Sequence, residues 1–145
     1  MGDLSGVIAI LAGLWGGRLV YSDWLHRRLP NYLTLPAAFG AVSGAIAFHP
    51  AALTGLLWPV LYLLLGLRGG GIGGGDIKLA VSLGLAVAAA QNFYSVFIVI
   101  IGASLITLVA GLLCAVFGRP KHVKSRNLPH GPAMIMSTLI VLGMS

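Results

Sequence analysis

Glutamate is absent from this chain, and only three residues, Asp3, Asp23 and Asp76, carry negative charge. Without glutamate there is no H-E-x-x-H zinc site, and the lack of a G-K-[ST] triplet removes the P-loop. Cysteine is almost missing too. Cys114 stands alone inside the apolar run Leu112–Phe117, so no intrachain disulfide and no C-x-x-C pair can form. Charged residues make up 8% of the chain, against roughly 25% in a soluble domain. A compact body with so few charges cannot coat itself with a water-compatible surface. Disorder is excluded from the other side, because 58% of the residues are apolar and disorder requires low hydrophobicity.

What the chain has in abundance is apolar sequence of membrane-spanning length. A hydrocarbon core ~30 Å thick takes ~20 helical residues per crossing, which admits about six crossings here. The expected spans are about 4–21, 33–48, 53–67, 77–90, 93–117 and 131–145. Their runs are continuous rather than alternating, which argues against a β-barrel. The expected fold is an all-α membrane protein, a polytopic bundle of six transmembrane helices forming a single domain over residues 1–145. Met1-Gly2-Asp3 lacks the positive start of a secretory signal, so the first segment reads as a retained span. Pro30 and Pro132 stand where spans begin, a place where a missing N–H costs little. Glycines within spans, among them Gly16, Gly40, Gly44, Gly84 and Gly102, permit close helix approach.

Nine Lys and Arg residues leave a net charge of +6. Loops after spans one, three and five hold Arg27, Arg28, Arg68, Arg119, Lys121, Lys124 and Arg126, with Arg18 and Lys78 flanking them. The loops after spans two and four hold none. The positive-inside rule makes the charged face cytoplasmic and puts both termini on the non-cytoplasmic side. The expected location is therefore the inner (cytoplasmic) membrane, with the lipid bilayer as the surrounding partner. Nucleic acid is not an expected partner, since apolar spans interrupt the basic residues.

Topology then singles out two acids. Asp23 ends the first span as it reaches the cytoplasmic face, and Asp76 begins the fourth as it leaves that face. Acids at a membrane boundary are costly and point to function by default. Two neighbouring carboxyl groups resist joint ionisation, so one keeps a proton while the other stays charged. The charged member can take a proton from water, and the protonated one can stabilise a developing oxyanion. Such a pair hydrolyses a peptide bond with no metal and no cofactor. Two plainer roles stand beside this: Asp76 as a helix N-cap, and Asp23 paired with Arg27 or Arg28.

Other signals carry less. Gly69-Gly70-Gly71-Ile72-Gly73-Gly74 satisfies G-x-G-x-x-G only by composition, because no strand precedes it. Ser104 and Ser137 lie in spans without an intramembrane histidine. His26, His49, His122 and His130 fall in loops on both sides, a scatter unlike a metal site. The glycine loop from Gly69 to Gly75 suits a mobile wall that admits an extended peptide.

The surroundings of the two acids resemble a known family. Asp23 with Arg27-Arg28-Leu29-Pro30-Asn31-Tyr32-Leu33-Thr34 is similar to the first motif of the type IV prepilin peptidases. Gly73-Gly74-Gly75-Asp76-Ile77-Lys78-Leu79 resembles their second motif, Gly-x-Gly-Asp-x-Lys-Leu, whose core also occurs in presenilin-type intramembrane proteases. Leu128-Pro129-His130-Gly131-Pro132 is similar to the entry into their last helix, with His130 where an aromatic residue is more usual.

The resemblance implies an aspartic endopeptidase that removes the short basic leader of prepilin-like membrane proteins at the cytoplasmic face. It makes Asp23 and Asp76 the catalytic pair, with Gly73, Gly75, Lys78, Pro30 and Asn31 as supporting motif residues. No metal or cofactor is implied. Larger members carry an additional methylating region, which is not expected here. The compact form resembles the peptidases of tight-adherence (Flp-type) pilus systems, with archaeal preflagellin peptidases a second match. The competing class is a small proton-coupled transporter or channel, or a non-catalytic component of a secretion machine.

Overall fold

The computed structural model describes residues 2–26, 29–69, 72–118 and 130–144, the side chains of residues 2–6, 8 and 9 excepted. Arg27, Arg28, Gly70, Gly71, the basic loop 119–129 and the side chain of Asp3 lie outside the described residues. Among the described residues six α-helices follow one another: α1 (Gly2–His26), α2 (Asn31–Phe48), α3 (Leu57–Leu67), α4 (Gly74–Ala90), α5 (Phe93–Phe117) and α6 (Gly131–Gly143). A 3-10 helix, Pro50–Leu56, leads directly into α3. No strand occurs among the described residues.

Start signals match the local chemistry. Pro30 caps α2 in an extended conformation, ψ 133°, and its carbonyl accepts from the Thr34 hydroxyl at 3.3 Å. Asn92 caps α5 with its side chain, accepting the Ser95 N–H at 3.1 Å and satisfying one of the donors a helix start leaves free. Pro132 stands in the first turn of α6.

The short, alanine-rich α4 is the centre of the bundle. It packs against α2, the 3-10 helix, α3, α5 and α6, and buries Leu79, Ala80, Leu83, Leu85, Val87 and Ala88. Its closest approach is backbone on backbone: a Cβ built on Gly55 would lie 2.1 Å from the Gly84 carbonyl oxygen. Elsewhere polar groups hold the contacts. The Ser137 hydroxyl of α6 donates to Val99 O of α5 at 3.1 Å, and Gln91 Nε2 donates to Val141 O at 2.6 Å. The Trp15 indole N–H ties α1 to Leu33 O of α2 at 3.0 Å.

Large apolar side chains face outward. Phe39, Phe48 and Phe117 are 78%, 88% and 81% exposed, a surface suited to lipid rather than water. Among the described residues, Asn31–Phe48, Pro50–Leu67 and Phe93–Phe117 are long and apolar enough to cross a membrane. The third of the expected spans differs in kind from a plain helix. It begins as a 3-10 turn at Pro50, and this tighter coil carries the Gly55 backbone against Gly84.

Candidate active site

α1 does not stop with its apolar residues but continues through Ser22–His26. Leu19 and Asp23, one turn apart, therefore share the inward face and are both buried, while Tyr21 and Trp24 point outward. Asp23 thus sits on a helix, not in the loop that follows it. Across from it, Gly73 takes an extended conformation, ψ 146°, as the N-cap of α4, which places Asp76 in the first turn. The cap itself is Gly73, so Asp76 does not fill the N-cap role.

These helix ends enclose a cleft of about 640 Å³. Ser22, Asp23 and His26 form one wall, Pro30 and Asn31 the second, and Gly73–Gly75 with Asp76 the third. Both acids line it, although their motifs are distant in sequence.

Each carboxyl group has a distinct environment. Asp23 is 6% exposed, and its Oδ2 accepts the backbone N–H of Gly131 at 3.1 Å. A donor aimed at a carboxylate oxygen suits the charged form. Any side chain at 131 would intrude, since a Cβ there would meet that same oxygen at 2.8 Å. Asp76 is half-buried and precedes the expected span 77–90. Burial pushes its carboxyl above the ordinary carboxylate range, and a backbone hydrogen bond at Gly73 offsets part of that rise.

Leu29 is the wedge beneath the cleft. It is buried, and a Cβ at Gly75 would stand 2.9 Å from its Cβ, while one at Gly131 would stand 3.5 Å from its Cδ2. Gly75 is thus required by packing. At Gly73 a Cβ would meet only Asp76 Oδ2 at an ordinary 3.5 Å, and at Gly74 it would meet nothing. Lys78 does not run free to the interface. Its ammonium donates to Asn31 Oδ1 at 2.7 Å, joining the first turn of α4 to the first residue of α2.

The model of the type IV leader peptidase family matches residues 8–119, a stretch containing both aspartates. The chain belongs to the type IV leader peptidase family. No curated protein and no solved structure matches it. As a family member the chain is a peptidase, and its apolar helices make it a membrane protein. Among the described residues no group of three or more His, Cys, Asp or Glu side chains is arranged to hold a metal ion.

His130, a loop residue by sequence, is the N-cap of α6, and its side chain turns inward. His130 is half-buried between α3 and α5, with its ring 5.5 Å from that of Tyr62. Its Nε2 is 2.6 Å from the Tyr62 hydroxyl and its Nδ1 2.6 Å from the Thr107 hydroxyl. Burial pushes its imidazole below the usual histidine value, and the charge of Asp23 acts in the opposite direction. The nearby motif residues Leu128 and Pro129 lie outside the described residues.

Proposed function

We propose that this leader peptidase is an aspartic endopeptidase that removes the short basic leader from prepilin-like membrane proteins, with Asp23 and Asp76 as its catalytic pair. Residues 1–145 act as a single domain of six spans, both termini on the non-cytoplasmic side of the inner membrane. The cleft opens toward the cytoplasm, where the cations gather and where a leader ahead of an apolar helix presents its scissile bond. The chain's two motifs resemble those of the compact, Flp-type peptidases. The observation that carries the reading is the convergence of two sequence-distant carboxyl groups on one cleft at helix ends.

Asp23, which accepts the Gly131 N–H, takes the charged role and draws a proton from water. Asp76 keeps its proton and donates to the scissile carbonyl as charge develops there. A relay-type transporter fits less well. The deeper cavity of about 560 Å³ between α1, α2, α4 and α6 is apolar, and its Ser82 and Thr138 hydroxyls donate to carbonyls of their own helices.

Incubation with a panel of prepilin-like substrates in detergent, followed by mass spectrometry of the new N-terminus, tests the activity. A product starting at the apolar helix is expected; intact substrate across the panel overturns the proposal. The roles also fix the pH profile. The rate falls on the acid side as the pair takes up a second proton, and on the alkaline side as Asp76 loses its own. Because burial raises Asp76, the alkaline limb lies above the ordinary carboxylate range. A rate that keeps rising through that limb contradicts the assignment.

Lys78→Met is expected to slow cleavage by up to about tenfold without unfolding the protein. A hydrogen bond from a charged donor contributes about 1.5–3 kcal/mol in a dry setting, and less at this exposed edge. Asn31→Ala should do the same, and the double variant should be no slower than either single one. Additive losses would mean that the two residues act apart.

A further inference from the structure

Asp23 receives its N–H from a peptide group whose geometry is controlled one residue earlier. The Thr107 hydroxyl donates its only proton to Ala103 O at 2.9 Å, so toward His130 it can only accept. His130 Nδ1 therefore carries the ring proton. Its Nε2 is then a lone-pair acceptor and takes the Tyr62 O–H. One neutral tautomer satisfies both ring nitrogens along the series Tyr62–His130–Thr107–Ala103, and the ring is held from both sides, by α3 through Tyr62 and by α5 through Thr107. The backbone on either side is pinned as well: the His130 carbonyl accepts from Met134 N–H at 3.1 Å, and the Gly131 N–H points at Asp23 Oδ2.

We infer that His130 is a positioning residue: clamped between Tyr62 and Thr107, it orients the Gly131 N–H onto the Asp23 carboxylate. The inference rests on the catalytic reading of Asp23 given above. It does not follow from the family resemblance, because the more usual aromatic residue at this place offers no ring nitrogens to hold. In this chain the hydrogen bonds of the imidazole do the holding, and α3 and α5, which line no part of the cleft, thereby set the angle of one of its carboxyl groups.

Cleavage kinetics and one NMR signal test the inference on the full-length protein in detergent, with a prepilin-like peptide as substrate. His130→Leu and His130→Phe are expected to lower kcat about 10- to 100-fold with KM little changed, by analogy with the range seen when a group orienting a metal-binding side chain is removed. Tyr62→Phe and Thr107→Val, each losing one arm, should lower kcat about 3- to 10-fold. His130→Gln, which offers one donor and one acceptor, should recover most of the rate.

His130-Gly131 is the sole His-Gly pair in the sequence, so carbonyl-labelled histidine with amide-labelled glycine gives a single signal. That amide proton should sit downfield in the wild type and in His130→Gln, and move upfield in His130→Leu. Full kcat in His130→Phe, or an unmoved amide signal in His130→Leu, overturns the inference. Asp23→Asn serves as the separate control. If it cleaves normally the catalytic reading fails, while the amide signal still reports whether His130 directs the contact.

Discussion

Asp23→Asn and Asp76→Asn each lower the rate of leader removal by about 10²–10⁴-fold, the usual loss when a general acid or base is taken from its transition state. The substitution isolates chemistry from architecture. Asparagine keeps the shape of aspartate and its carbonyl oxygen can still accept the Gly131 N–H, so the contact that holds Asp23 survives while its charge does not. At position 76 the amide can still donate, but it has no proton to release. The double variant should be barely slower than either single one, because residues that act as a unit lose their joint effect with the first removal. Initial rates with a fixed prepilin-like peptide, and far-UV circular dichroism of each variant in detergent, make the measurement. Cleavage within tenfold of wild type in either single variant would remove that residue from the catalytic pair.

The convergence of the two acids follows from elementary sequence features. Continuous apolar runs set the helical class, and cations confined to alternate loops put residues 23 and 76 at one face. Helix ends were harder to read. A polar stretch such as Ser22–His26 looks like a loop by hydropathy, yet an inward face shared by Leu19 and Asp23 keeps it helical. The 3-10 character of Pro50–Leu56 was equally hidden, since it goes with a contact to a glycine far away in sequence.

Side-chain pairings between elements were the least visible. Lys78 cannot share a helix face with Asp76 two residues before it, which left its partner open until α2 was placed beside α4. His130 borders a loop of mostly polar residues, and nothing local marks it as an interior group. Tyr62 and Thr107, which hold it, are ordinary members of apolar helices. The one available sign was its departure from the aromatic residue more usual at that place.

The second large effect is structural and concerns the far side of α4. Gly55→Ala should destabilise the protein by roughly 1–3 kcal/mol or more, the cost of inserting a methyl group where no space exists. The added Cβ would meet Gly84 O at 2.1 Å, Gly84 C at 2.3 Å and Leu85 N at 2.7 Å. All three are backbone atoms, so no side-chain rotation can relieve the clash, and the 3-10 helix must separate from α4. Gly84→Ala meets the same wall from the opposite side, 2.3 Å from Gly55 O. Gly44→Ala is the matched control, because a Cβ there meets nothing within 4 Å and alanine favours the helix by about 1 kcal/mol over glycine.

Thermal melts in one detergent should therefore place Gly55→Ala and Gly84→Ala well below wild type, and Gly44→Ala at or above it. Cleavage should fall in the first two even below their melting points. α4 carries Asp76 at its other end, and moving the helix off the 3-10 turn shifts that carboxyl relative to Asp23. A Gly55→Ala protein that melts and cleaves like wild type would show that α4 has another way to hold its place, and that the glycine contact does not position the cleft.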